Sequence, residues 1–342
     1  MSKLRIGLLG TGVINRDFHL PVLRNHPQAE VVAAANHRPE SLKKLAADFN
    51  IPKTTTDFAE LAADPDVDAV INSLPNYLHA PVTIQMLEAG KHVLCEKPMA
   101  MNVAEGEQMI AAAERSGRKL MIAHMWRFDR EIVWLRDLIA SGQLGRIFKV
   151  KSHAIWLFDG PKPGTWFVTP EFAGGGALAD MGIHSIDTMR FVLGGARPVK
   201  VFATAGTFFK DIPLDDTATV MVEFEGGVAG LLEAGWYHLY ADGLEGYTQA
   251  YGTRGYARVL PAQLQTSVEG IWSVTQPDMP KRQQQCDLPM YQAQMDHFID
   301  CILNDKEPLT NGPDVLWSMK ILEAAYRSAT IGESVAVGYE SN

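Results

Sequence analysis

Residues Leu4–Leu9 form a short apolar run, and Gly10-Thr11-Gly12-Val13-Ile14-Asn15 follows it directly. Few folds accept that combination. A glycine at the end of a buried strand lets the chain turn tightly, and a second glycine two residues on removes the side chain that would hold a ligand off the backbone. A helix beginning there offers its free N–H groups to a phosphate. Further apolar runs at Val31–Ala35, Val67–Ile71, His92–Cys95 and Leu120–Ala123 alternate with helix-like stretches at Ile14–Asn25, Pro39–Asp48, His79–Ala89 and Val103–Arg115. Short buried strands separated by helices read as a parallel sheet covered on both faces, with right-handed crossovers.

The pattern changes after Met125. A helix over Asp129–Ser141 and a long strand over Arg146–Leu157 lead to a helix over Ala177–Leu193, stopped by Gly194-Gly195. Strands then follow one another at Val199–Thr207, Thr217–Phe224, Val228–Trp236 and Gly255–Leu260. Strands in succession without helices between them imply an antiparallel or mixed open sheet. Pro261–Asp287 is polar and Gln-rich and has no clear period, and amphipathic helices at Tyr291–Leu303 and Asp314–Ala329 close the chain. The fold class expected is α/β: a doubly wound, Rossmann-type dinucleotide-binding domain over residues 1–125, then an α/β domain over 126–342 with an open, mainly antiparallel sheet.

Composition removes some functions. The formal net charge is −9 and there is no long basic run, which argues against nucleic acid as a partner. No stretch approaches the roughly 20 apolar residues of a membrane helix. The three cysteines, Cys95, Cys286 and Cys301, form no CxxC pair, and an odd count suits a reducing compartment. With no signal-peptide pattern in MSKLRIGLLGTG, a cytoplasmic location is expected. No HExxH occurs and the cysteine spacing does not suit zinc, so no metal site is expected.

The glycine loop assigns Gly10, Gly12, Val13 and Ile14 to cofactor pyrophosphate. An acidic residue at the end of the second strand would bind the adenosine ribose. Asn36 stands there instead, and Arg38 can pair with a 2′-phosphate, so NADP is favoured over NAD. Pro75 and Asn76 lie where strand ends of a parallel sheet face ligand, with Ser73 and His79 in the same stretch after Val67–Ile71, and Glu96 and Lys97 directly after His92–Cys95 are further cofactor-side candidates. His79 suits either a phosphate contact or a backbone cap. In Gly174-Gly175-Gly176 through Asp187, the residues Asp180, His184 and Asp187 fall at helical spacing on one face.

With these pieces the chain resembles the glucose–fructose oxidoreductase/inositol dehydrogenase (Gfo/Idh/MocA) family over nearly its whole length. The matching residues are the glycine loop, Pro75-Asn76-x-x-His79, Glu96-Lys97-Pro98, Arg127-Phe128, Gly174 through Asp187, Asp215-Asp216 and Glu323-Ala324-Ala325-Tyr326-Arg327-Ser328. Departures are Asn15 in the loop, Asn36 where an acid is common, and Trp166-Phe167 where the family often shows Trp-Arg. The resemblance implies an NAD(P)-dependent oxidoreductase for a sugar, cyclitol or related polyol, assembled as a homodimer or homotetramer. It also implies Lys97, Asp180 and His184 as the catalytic set. Elementary chemistry agrees: a histidine titrating near neutrality suits proton transfer, and an ammonium stabilises an alkoxide. Arg127 is either a substrate contact or a hinge ion pair, and His153, Trp166 and His238 are candidates for the substrate pocket. Two rivals remain: transient oxidation with elimination of a glycosidic bond, and a cofactor-binding sensor without catalysis.

Overall fold

The computed structural model describes residues 3–239, 246–268, 270–280 and 286–338. The chain divides into two compact units, Met1–Met125 with Leu288–Leu316, and Trp126–Asp287 with Trp317–Asn342. The helix Leu288–Leu303 therefore belongs with the first unit, whereas chain order alone puts it in the second. Its Tyr291 stacks on Phe18 at 4.4 Å between ring centroids, and Asp296 lies 3.0 Å from His26. An apolar stripe shows that a helix is covered but not by what, so the sequence could not reveal this exchange.

The first unit carries six parallel strands: β1 (Leu4–Leu9), β2 (Ala29–Ala35), β3 (Lys53–Thr55), β4 (Ala69–Asn72), β5 (His92–Cys95) and β6 (Leu120–Ile122), in the order β3-β2-β1-β4-β5-β6. Ile6, Leu8, Leu9, Val70, Ile71, Val93 and Leu94 have no exposed surface, because helices cover both faces. The order reverses between β1 and β4, so the strand ends that follow Leu9 and Asn72 open at a switch point, the ordinary ligand position in such sheets. β3 escaped the sequence reading because Lys-Thr-Thr at a sheet edge has no apolar signal.

The second unit holds β7 (Ile147–Leu157), β8 (Pro198–Gly206), β9 (Thr217–Phe224), β10 (Val228–His238), β11 (Gly246–Gly252), β12 (Gly255–Arg258), β13 (Gln263–Val268), β14 (Ile271–Thr275) and β15 (Val335–Ala336). They form one nine-stranded sheet ordered β14-β13-β12-β11-β7-β10-β9-β8-β15, antiparallel except for the pair β7 and β10. Alternation on β9 is strict: Ala218, Val220, Val222 and Phe224 are buried, while Thr219, Met221 and Glu223 are exposed. The helix Ile183–Val192 covers the inner face, where a Cβ on Gly230 would meet the Met189 sulfur. The hairpin of β13 and β14 occupies part of the unassigned Pro261–Asp287 stretch; β14 is exposed throughout, so its polar partner strand carries no alternation to read. Among the described residues, no helix is long and apolar enough to cross a membrane.

Candidate functional site

In the first unit the site grows from the end of β1. Gly10 has φ +92°, and a Cβ there would lie 2.8 Å from the Ser73 backbone oxygen, so only glycine fits. At Gly12 a Cβ would meet nothing within 4 Å, the open approach that a pyrophosphate needs. Val13 is exposed and Ile14 half-buried. Asn15, which breaks the usual small-residue pattern, is buried, and its amide donates to the Leu9 and Gly10 carbonyls at 3.1 and 2.8 Å. A side chain that satisfies the carbonyls ending β1 braces the loop as close packing otherwise would. Asn15–His19 is π-helical, a rare geometry that recurs at functional sites.

That turn brings in a residue the sequence reading missed. His19 is fully buried, and its Nε2 lies 2.8 Å from Glu96 Oε1. The signal was available: His19 stands four residues after Asn15, on the same side of the helix. Glu96, expected at the cofactor, is thus held by His19 and anchors the segment Glu96-Lys97-Pro98. For His79 the backbone alternative is the one seen. Its Nδ1 lies 2.7 Å from the Pro98 carbonyl oxygen and its Nε2 2.8 Å from that of Leu74, so the buried ring ties the loop after β4 to the loop after β5. Burial pushes the His79 pKa down, against the pull of those carbonyls and of Glu96. Ser73 turns its hydroxyl to the Leu9 carbonyl at 3.0 Å, again a brace. Pro75 and Asn76 follow at the open strand end, and Lys97 is half-buried. Asn36 is buried and donates to Thr11 Oγ1 at 2.7 Å and Ser41 Oγ at 2.9 Å, while Arg38 is exposed.

In the second unit the expected helix 177–193 is two segments, a π-helical turn Leu178–Gly182 and an α-helix Ile183–Val192. Asp180 accepts a hydrogen bond from the Trp236 indole at 3.0 Å, and the His184 ring stacks on Trp126 at 5.0 Å. Both are buried. Asp187 does something else: Arg127 donates to both of its oxygens, from Nε at 2.8 Å and Nη2 at 2.6 Å, and Ser318 adds a third bond. The guanidinium also lies over the Phe191 ring. Of the two readings of Arg127, the geometry supports the ion pair. Trp166 packs on Phe167 at 4.5 Å, and Phe167 meets Trp236 edge-on, so an aromatic row leads from Trp166 towards Asp180. Strand register takes His153 out of the substrate set. It pairs with Tyr247 and Glu233, on the sheet face opposite Ala234 and Trp236, and its ring lies 3.8 Å from that of Tyr247. His238 sits beside Thr217 Oγ1 at 3.0 Å, and burial lowers its pKa. Among the described residues, no three His, Cys, Asp or Glu side chains gather as a metal site would require.

A parallel sheet with this loop at its switch point, followed by an antiparallel unit carrying a buried Asp and His on successive turns, defines a nicotinamide-nucleotide oxidoreductase. The chain belongs to the GFO/IDH/MocA oxidoreductase family: the family model described as NAD-binding Rossmann fold matches residues 4–124, and that of the GFO/IDH/MocA C-terminal domain matches 132–258. It is 30% identical to 1,5-anhydro-D-fructose reductase of Ensifer adhaerens, over 97% of this chain and 98% of that one. It is 33% identical to trans-1,2-dihydrobenzene-1,2-diol dehydrogenase of Sus scrofa, over 75% and 74% of the two chains. The crystal structure of aldose-aldose oxidoreductase from Caulobacter crescentus superposes with a TM-score of 0.84 at 30% identity, covering 98% of this chain and all of that one.

Proposed function

We propose that the protein interconverts a secondary alcohol and a ketone on a sugar, cyclitol or related polyol, with Lys97, Asp180 and His184 as the catalytic set. The observation that carries the reading is the setting of Asp180 and His184. Arg127 pairs with Asp187 further along the helix, while Asp180 accepts from the Trp236 indole and His184 stacks on Trp126, the two buried side chains standing on successive turns. A carboxylate and an imidazole held one helical turn apart suit proton transfer to and from a substrate hydroxyl. A bound nicotinamide dinucleotide supplies the hydride acceptor or donor. His184 takes or returns the hydroxyl proton, Lys97 steadies the charge developing on that oxygen, and Asp180 orients the histidine or holds a neighbouring hydroxyl. Trp166 supports one side of the substrate. The relatives' names specify a sugar derivative, a diol and aldoses, which supports the polyol class. The test is an absorbance screen of sugars, cyclitols and their ketones with NAD and NADP. Accumulating reduced cofactor supports the reading. Cleavage of a glycoside with no net cofactor turnover would replace it with oxidation and elimination, and cofactor binding without any turnover would leave a sensor.

The backbone of Gly10 through Ile14 would hold the cofactor pyrophosphate, with Pro75 and Asn76 as further cofactor-side residues. NADP is the preferred form in this reading, since Asn36 brings no charge against a 2′-phosphate and the exposed Arg38 can pair with one. Arg38→Ala should reduce the ratio of NADP to NAD affinity by about ten-fold, the scale of one charge-assisted contact. Equal affinities in parent and variant would end this part of the reading. Assembly as a homodimer or homotetramer uses the outer sheet face, where Phe202 and Met221 are 38% and 48% exposed; light scattering that shows a monomer at micromolar concentration would refute it. A cytoplasmic setting fits three cysteines that form no disulfide, two of them buried thiols.

A further inference from the structure

Two sequence features remain without a role: the Asp215-Asp216 pair ahead of β9, and Tyr326 on the closing helix Gly312–Ile331. They converge on the turn that carries Asp180. Gly176 N–H is shared between Asp215 Oδ1 and the Tyr326 hydroxyl oxygen, each at 3.0 Å. Leu178 N–H donates to Asp215 Oδ2 at 2.8 Å, and Ala177 N–H to the Asp215 backbone oxygen at 2.8 Å. The Tyr326 hydroxyl donates to Asp215 Oδ1 at 2.9 Å. Asp215, through its carboxylate and its backbone oxygen, and the Tyr326 phenol therefore take the N–H groups of Gly176, Ala177 and Leu178 at the start of the π-helical turn Leu178–Gly182, which has no side-chain cap of its own.

The connection to Asp180 runs along two routes. Gly176, whose N–H is clamped, accepts the Asp180 N–H on its carbonyl at 3.0 Å. On the other side the Asp216 carbonyl accepts the Trp236 backbone N–H at 2.8 Å, and the Trp236 indole donates to the Asp180 carboxylate. Adjacent aspartates thus fix both the main chain and the side-chain partner of Asp180. The Asp216 carboxylate is itself locked by the N–H groups of Phe208 and Phe209. The glycine run is part of the same device. A Cβ on Gly176 would collide with the Asp215 backbone, and one on Gly175 would collide with the Tyr326 hydroxyl. Burial and the Asp215 charge push the Tyr326 pKa well up, so its hydroxyl stays a donor through the neutral range.

We infer that Asp215 and Tyr326 are positioning residues for the reaction: together they seat the turn Leu178–Gly182 and so set where Asp180 and His184 stand. The inference rests on the reading of those two residues as the acid–base pair, but its test does not need a substrate. Tyr326→Phe removes one hydroxyl, and Asp215→Asn turns an amide against N–H groups that now find an acceptor. The NMR signals of the Trp236 indole N–H and the His184 ring report on the turn, and the other tryptophan and histidine signals serve as controls. Both variants should move those two signals, leave the controls in place and bind NADH as the parent does. On any alcohol the screen identifies, turnover should fall by about ten-fold or more, since small misplacement of reacting groups is costly. Unmoved Trp236 and His184 signals with a lowered melting temperature would show a purely stabilising pair and overturn the inference. So would displacement spread evenly over all tryptophans. If Asp215→Asn does not fold, Tyr326→Phe alone decides. A screen without turnover counts against the proposed reaction, and the spectra still decide the clamp.

Discussion

Each unit contains a glycine-led π-helical turn, Asn15–His19 after Gly10 and Gly12, and Leu178–Gly182 after Gly174, Gly175 and Gly176. Neither has a side-chain cap from its own segment. They differ in what meets the N-terminus. The first faces open space at Gly12, while the second is closed by the Asp215 carboxylate. A helix start carries partial positive charge and free donors, which attract an anion. Left open, it suits a ligand phosphate; filled by the protein's own carboxylate, it cannot take one and becomes a fixed platform for side chains. In the function proposed above, the same local device serves cofactor binding in one unit and placement of the proposed acid–base pair in the other.

The strongest way to break this division is to remove the chemistry from the second turn. His184→Ala should lower turnover by about 10²–10⁴-fold, the usual contribution of a positioned acid–base group. Lys97→Ala should cost at least as much, because the developing alkoxide loses its counter-charge. NADH titration of His184→Ala should match the parent. Near-normal turnover would place the base elsewhere, and lost cofactor binding in that variant would mean the two turns do not divide the work.

Paired glycine substitutions sharpen the contrast. Gly12→Ala enters open space, so chemical denaturation should show a change within about 0.5 kcal/mol, while NADH affinity falls by about ten-fold or more as the methyl blocks the pyrophosphate. Gly176→Ala meets the Asp215 backbone and should lose about 3 kcal/mol or fail to fold, the upper range for overpacking. If both variants lost stability equally, or if Gly176→Ala were silent, the open and closed turns would not be distinct.

What the sequence could reveal follows the same division. The glycine loop and the alternation of strands and helices were legible because each is a local pattern. The helix Leu288–Leu303 was misplaced because its partner, Phe18, lies far away in the chain. Glu96 and His79 carried the motif but not the partners the fold gives them; of the two uses open to His79, the backbone one is seen. They follow neighbouring strands of the parallel sheet, and the first meets His19 and the second two carbonyls, contacts made between segments far apart in the chain. His153 was misread because one strand position decides which sheet face a side chain takes. Asp215 and Tyr326 stood out as motifs, but 111 residues separate them, and only the fold brings carboxylate to hydroxyl.

The smallest effect expected is a response to acid that differs between the regions. In the first unit burial lowers the pKa of His79, and burial with Arg118 and Lys119 lowers that of His92 to about 4. A histidine whose folded pKa lies below its unfolded value costs nothing above the unfolded pKa of about 6.5, and destabilises the fold as pH falls from there towards the folded value. For His92 that window runs from about 6.5 down to about 4. Asp215 has the opposite sign: burial raises its carboxyl pKa, so its cost is present at neutral pH and eases on acidification. Hydrogen exchange between pH 7.5 and 5.5, corrected for intrinsic rates, separates the two. Peptides spanning Leu74 to Pro98 should lose protection by about ten-fold, held to that scale because His92 is partly exposed and solvent screens its charge. Peptides spanning Gly174 to Ile183 should keep theirs. His92→Gln should remove part of the loss in the first region and leave the second untouched. Equal loss in both regions would mean the molecule opens as a whole, and the two turns would then share one stability rather than each having its own.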